Sequence, residues 1–381
     1  VRPGDKATID LEGLDGLIRA LATSGYRVIG PRLRESAIVY DEIDGIADLP
    51  IGWTDRQDGG RYRVEPRGDR AVFGYAVGPQ SWKRYLHPPR RHLWRVEASD
   101  GGFVVQSEER TATSFAFIGV RACELHAIRI QDRVFTGGPA VDTHYRDARE
   151  RAFVVALNCS VAGGTCFCSS MNTGPKVDGG FDLALTELIE PDRHLFLLEV
   201  GSERGSVIAG QLASQAATAE DVGAAQAVVA ATARRMGRHL DTDGLKELLQ
   251  RNLEHPRWDE VATRCLNCTN CTMVCPTCFC TTTEDSTDLA GQSAERVQRW
   301  DSCFTIDFSY VHGGSIRQSG KSRYRQWMTH KLSTWWDQFG TTGCVGCGRC
   351  ITWCPVAIDI TEEAHAIRAT DGLRAGDGAQ P

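Results

Sequence analysis

The sequence predicts an α+β molecule: an α/β-type domain over residues 1–215, a helical, cysteine-bearing domain over residues 216–370, and a tail over 371–381. Three observations predict it. Apolar strand-like runs alternate with helical periodicity in the first half, an alanine- and leucine-rich stretch begins near residue 217, and most of the 15 cysteines lie beyond residue 264.

The first element is "LEGLDGLIRALATSG", apolar at three- and four-residue spacing, which predicts a helix running into a strand at "YRVIGP". The runs "SAIVYDEI", "GGFVVQSE", "SFAFIGVRAC", "RAFVVALNC" and "HLFLLEVG" read as further strands, with "ELHAIRIQDRVF" as a helix among them. From about residue 217, "ATAEDVGAAQAVVAATARRMGRHLD" and "TDGLKELLQRNLEHPRWDEVA" read as two helices leading into the cysteine-rich part, so the boundary falls between residues 203 and 240. Between the two main cysteine runs, residues 281–343 carry Trp327, Trp335 and Trp336 on expected helical segments, where tryptophan bulk packs and excludes water. The final "DGLRAGDGAQP" reads as a frayed tail.

Composition narrows the class. A chain of 381 residues buries enough core to need no disulfide framework, and an odd, bunched set of cysteines behind a start lacking signal-peptide character predicts a reducing cytoplasm. The longest apolar runs, "FAFIGV" and "AAQAVVAATA", fall short of the roughly 18 residues of a membrane span. A net charge of −6 gives no general affinity for nucleic acid or anionic lipid. One basic stretch, Lys83 to Arg95, reads as a solvated or ion-paired face, with subunit docking as the alternative.

The informative motif is "CLNCTNCTMVCP": Cys265, Cys268, Cys271 and Cys275 at gaps of two, two and three residues, then Pro276. The same spacing returns in "CVGCGRCITWCP" as Cys344, Cys347, Cys350, Cys354 and Pro355. Zinc usually takes two separated pairs of ligands; three thiolates at two-residue gaps, then a fourth and a proline, fit a cubane 4Fe-4S cluster. Because the fourth cysteine of such a run ligates the other cluster, Cys265, Cys268, Cys271 and Cys354 are assigned to one cluster and Cys344, Cys347, Cys350 and Cys275 to a second.

Seven cysteines remain. Cys123 and Cys159 end apolar strand-like runs, where open α/β sheets hold their ligands, and Cys166 and Cys168 follow in the glycine-preceded loop "AGGTCFCSS". These four form a candidate third cluster, with Cys278 and Cys280 as substitute ligands; the alternative is four buried cysteines without function. Cys303, among aromatic residues, reads as core.

Of the ten histidines, none pairs at metal-binding spacing, and His87, His92, His126, His144, His312 and His330 read as structural. There is no nucleophile elbow, phosphate loop or dinucleotide fingerprint, and "HGG" at His312 to Gly314 reads as a turn, so no catalytic residue is assigned.

Together "GVRACELHAIRIQDRVF", "NCSVAGGTCFCSSMNTGP", "CPTCFC", "WDSCF", "RYRQWMTHK" and "CVGCGRCITWCPVAIDI" resemble the 4Fe-4S dicluster electron-transfer (β) subunit of cytoplasmic group 3b nickel–iron hydrogenases, the sulfhydrogenases, a family with relatives among the anaerobic sulfite reductases. The resemblance spans about residues 70–365 and marks the "CFC" pairs, Cys166 with Cys168 and Cys278 with Cys280, as family features; residues 1–60 match nothing in it. It implies an α-helical ferredoxin domain with two 4Fe-4S clusters. It also implies a non-catalytic relay of single electrons between a flavoprotein NAD(P)H-oxidoreductase subunit and the small and large subunits of a nickel–iron hydrogenase. The rival readings are an electron-transfer subunit of an anaerobic sulfite or sulfur reductase, a protein whose metal is structural, and sulfur or polysulfide chemistry at the first-half cysteines.

Overall fold

Asp10 caps the first helix, Leu11–Thr23, by accepting from the Gly13 N–H at 2.8 Å, and Leu14, Leu17, Ile18 and Leu21 of that helix are completely buried. They pack on one face of an eight-stranded sheet in a computed structural model that describes residues 2–107 and 113–373. The expected tail lies mostly outside the described residues.

Strand order in that sheet is Gln215–Ala216, Lys6–Ile9, Arg193–Val200, Leu183–Glu190, Phe153–Leu157, Phe115–Arg121, Arg27–Arg34, Ala37–Glu42. The four strands Leu183–Glu190, Phe153–Leu157, Phe115–Arg121 and Arg27–Arg34 are parallel neighbours; the outer pairs are antiparallel. Phe153–Leu157 is buried at every position, as a parallel strand covered on both faces must be. Residues 6–42 supply three of the eight strands and a covering helix.

Three local expectations are corrected. Helix Ala219–Ala233 does not lead into the cysteine-rich part: its Ala225 packs with Leu188 and Leu197 on the sheet. "TDGLKELLQRNLEHPRWDEVA" is two helices, Leu245–Arg251 and Arg257–Arg264, because Pro256 lacks the N–H a continuous helix would need. The basic run is not a solvated face throughout: Lys83 and His87 are buried, and Arg91 pairs with Asp142 at 3.2 Å.

Beyond residue 280 the chain first returns to strand. Thr281–Thr287 and Ser293–Trp300 form a hairpin whose second strand pairs with Arg90–Ser99, itself paired with Gly102–Ser107. Helices Gly320–Thr329 and Trp335–Phe339 follow, joined through a wider π turn at His330–Thr334, so Trp327, Trp335 and Trp336 all lie on helical segments. Trp327 and Trp335 are buried, whereas Trp336 is exposed. A second core gathers Trp258, Phe304, Tyr324, Trp327 and Ile351, with six half-buried cysteines packed against it. A smaller core mixes Val77, Cys123, Ala127 and Cys168 with Trp335, Val345 and Cys347, joining the sheet to the cysteine-rich part.

Candidate metal centres

Helix Arg257–Arg264 ends at Cys265, and its exit is fixed by the fully buried Glu363, which accepts from Arg257 at 2.5 Å and Arg264 at 2.6 Å. Asn267 and Thr269 then take left-handed backbone, which curls the chain so that Cys265, Cys268 and Cys271 face one cavity. Cys354, eighty residues on, lines the same cavity, and so does Cys350. Its wall includes Tyr324 and Trp327, whose hydroxyl and indole N–H are buried without a hydrogen-bond partner. Backbone N–H groups already point at thiols here, Asn267 to Cys265 Sγ at 3.5 Å and Ile358 to Cys354 Sγ at 3.3 Å.

Cys344, Cys347 and Cys350 sit on the loop and short helix that end at Thr352. Thr277 Oγ1 and Lys331 Nζ both donate to the Gly343 oxygen, at 2.6 and 3.4 Å, which sets Cys275 beside the start of this motif. Gly346 and Gly348 have φ of 63° and 75°, and a Cβ on them would lie 2.6 Å from the Phe167 oxygen and 2.3 Å from the Thr165 oxygen. Only glycine lets this loop close on the loop of Cys166 and Cys168. Cys275 accepts from Lys331 Nζ at 3.2 Å, and that ammonium also donates to Thr277 Oγ1 at 3.1 Å.

Electrostatics sort the thiols. Burial pushes Cys271 and Cys350 well above the ordinary thiol range and Cys344 up to about 12. Cys275 alone is held well below it, by a hydrogen bond from Cys278, by the Lys331 charge and by Thr277. Buried thiols of this kind keep their protons until a metal displaces them.

The fit to a cubane rests on these donors. Four thiolates around one zinc ion would lie about 3.8 Å apart. Among the described residues no group of three or more His, Cys, Asp or Glu side chains is placed to hold a single metal ion. The orphaned Tyr324 and Trp327 donors suit an acceptor such as cluster sulfide.

The remaining cysteines fall into two places. Cys123 and Cys168 pack with Cys347 where the sheet meets the second motif, Cys166 Sγ lies 3.9 Å from the Cys347 oxygen, and Cys159 follows the neighbouring strand. Cys278 and Cys280 gather elsewhere, near Lys83 and Lys331, and Cys303, close to Cys280, is half-buried against the aromatic core of Phe304, Tyr324 and Trp327. Spacing did not disclose the buried cations. Lys83 lies 3.8 Å over the Trp300 ring and donates to the Cys278 carbonyl oxygen at 3.2 Å, while Arg349 stands inside "CVGCGRC" itself.

Residues 264–358 match the family model of a 4Fe-4S dicluster domain. Over 349 residues the chain is 30% identical to sulfhydrogenase 2 subunit beta of Pyrococcus furiosus, an alignment covering 90% of this chain and 92% of that protein. No solved structure matches it. With a dicluster domain spanning both cysteine motifs, and a relative aligned through the sheet that precedes them, this chain belongs to the family of sulfhydrogenase β subunits.

Proposed function

We propose that this chain relays single electrons between a flavoprotein NAD(P)H-oxidoreductase subunit and the small and large subunits of a nickel–iron hydrogenase, in the cytoplasm, with no catalytic residue of its own. Two 4Fe-4S clusters in a helical ferredoxin-like domain would be held by Cys265, Cys268, Cys271 and Cys354, and by Cys344, Cys347, Cys350 and Cys275. The observation that carries this is the cavity of the first quartet, which also takes in Cys350 of the second, so that the two sets share a wall. Bound there, a cubane cluster takes up and gives back one electron at a time.

The chain's own residues do the rest. Phe304, Tyr324 and Trp327 exclude water, which limits reorganisation when charge moves, and Lys331 places a fixed positive charge on the Cys275 side of the second site. No helix among the described residues is long and apolar enough to cross a membrane.

Cys275→Ser tests the crossed ligation. It should alter the EPR signal of the cluster bound by the 344–350 motif and leave that of the 265–271 motif; the reverse result would overturn the pairing. The relay is tested by anaerobic reconstitution. NAD(P)H should reduce the chain only with the flavoprotein subunit present, and hydrogen only with the nickel–iron subunits. Reduction that instead couples only to a sirohaem protein would favour a sulfite-reducing complex.

A further inference from the structure

The strands Phe115–Arg121 and Phe153–Leu157 lie side by side and parallel in the large sheet, and each delivers a cysteine just past its carboxyl end. Cys123 falls in the first turn of the 15-residue helix Ala122–Thr136, whose N-terminus favours an anion, and Cys159 stands two residues beyond its strand. The next loop folds back to bring Cys166 and Cys168 to the same place. Cys123 and Cys168 pack in one cluster with Cys347, Gly174 lies between Cys168 and Ala122 next to Cys123, and the Cys159 N–H donates to the oxygen of Pro175, the residue after Gly174, at 3.3 Å. Cys123 and Cys168 are buried, Cys159 and Cys166 half-buried.

Two glycines press against these thiols. A Cβ on Gly163 would lie 3.3 Å from Cys166 Sγ, and one on Gly174 would lie 3.1 Å from Cys168 Sγ. Two buried guanidinium groups flank the set. Arg121, 2% exposed, donates to the carbonyl oxygens of Tyr75 at 2.7 Å and Phe73 at 3.3 Å, and its Nη1 has no partner. Arg349, 1% exposed, senses Cys347 and Cys123; it pairs with Glu124, and its Nη1 is also orphaned. Arg121 bonds to carbonyl oxygens with Cys159 beside it, and a buried cation so placed is costly unless an anion stands near it, whereas Arg349 already has the Glu124 carboxylate. A cubane with four thiolate ligands is such an anion, and its sulfides accept hydrogen bonds.

From these observations we infer that Cys123, Cys159, Cys166 and Cys168 hold a third 4Fe-4S cluster, with Arg121 and Arg349 as its charge-compensating donors. The site stands on its own geometry; only its use as a relay rests on the function proposed above. Its neighbour is the second cluster. The Phe167 N–H donates to the Gly346 oxygen at 2.8 Å, and Cys166 Sγ lies 3.9 Å from the Cys347 oxygen. Three centres then stand in a row, the new one at the sheet, the Cys344 set in the middle and the Cys265 set beyond.

The test is anaerobic iron, labile-sulfide and zinc analysis of the full chain, with CD to confirm folding. Wild type should carry about twelve irons and twelve sulfides, falling to about eight in Cys166→Ser/Cys168→Ser and staying near twelve in Cys278→Ser/Cys280→Ser. About eight irons in wild type would overturn the third site while leaving the two-cluster reading intact, and about four or fewer would sink the two-cluster reading instead. One zinc beside eight irons would overturn it as well, as would a loss of iron confined to the Cys278/Cys280 variant. If the Cys166/Cys168 variant does not fold, Arg121→Gln decides: the proposal requires one of three midpoint potentials to move down while the other two hold. Three unmoved potentials would overturn it.

Discussion

Lys331 is buried with its ammonium against Cys275 Sγ, Thr277 Oγ1 and the Gly343 oxygen, in the single π turn between two helices. Burial opposes its charge, but the neighbouring Cys275 and Cys278 outweigh burial and raise its pKa well above the ordinary lysine range. A fixed cation beside a redox centre favours the more negative, reduced form. Lys331→Met should therefore lower the midpoint potential of the Cys344-motif cluster by on the order of 100 mV, taking a charge about 5 Å away in an effective dielectric of about 20. Potentiometric EPR titration reads this directly, and an unchanged midpoint would mean that the charge is compensated elsewhere. Little of this was legible in the sequence. In "MTHKLS" a lysine looks like solvent-facing polarity, and no periodicity says that its turn faces inward. The spacing of the paired motifs names eight candidate thiols directly, whereas the surroundings of Arg121 and Arg349 depend on elements far apart along the chain.

At the scale of elements, His87 wedges three together. Its ring centroid lies 4.7 Å from that of Phe135 on helix Ala122–Thr136, and its carbonyl oxygen accepts from Trp300 Nε1 at 2.9 Å. Burial first, then the Lys83 charge, lowers its pKa to about 4, with Arg91 and His144 acting the same way and Asp142 against them. The unfolded chain takes this proton near pH 6.5 and the folded chain refuses it until about pH 4. Stability is therefore lost as pH falls through that window, by up to about 3 kcal/mol. The urea midpoint should drop between pH 7 and pH 5, and His87→Phe should shrink that drop; an identical drop in both proteins would assign it to other groups.

Legibility varied among elements for a physical reason. The strands near residues 37–42, 115–121, 153–157 and 193–200 announce themselves as apolar runs because they are buried. The hairpin of "TTTEDSTDLAGQSAERVQRW" does not: its first strand is mostly exposed and polar, so no alternation marks it. Helix Ala219–Ala233 was visible as a helix, but alanine-rich sequence does not say which neighbour it covers.

For the whole molecule, the proposed relay has two ends that differ. At the sheet end Cys123 and Cys168 are buried beneath Arg121. At the far end Cys268 is exposed and nearby Leu266 is 62% exposed. The spacing predicts the cysteine pairing across the two motifs. It could not show that the glycines of the second motif face the loop of Cys166 and Cys168, because that contact joins segments roughly 180 residues apart.

The four-stranded sheet also sets the order in which this protein can be made. Arg90–Ser99 finds its partner Ser293–Trp300 only after roughly two hundred more residues have left the ribosome. Until then Gly102–Ser107, with Phe103, Val104 and Val105 exposed, belongs to a two-stranded ribbon with a bare edge. The cysteine loops are likewise closed by segments far apart in sequence, as where the Phe167 N–H donates to the Gly346 oxygen and the Gly60 N–H to the Ile351 oxygen. Residues 216–373 expressed alone should come out aggregated or iron-poor; a soluble fragment carrying about eight irons would show that the two cluster loops close without the sheet.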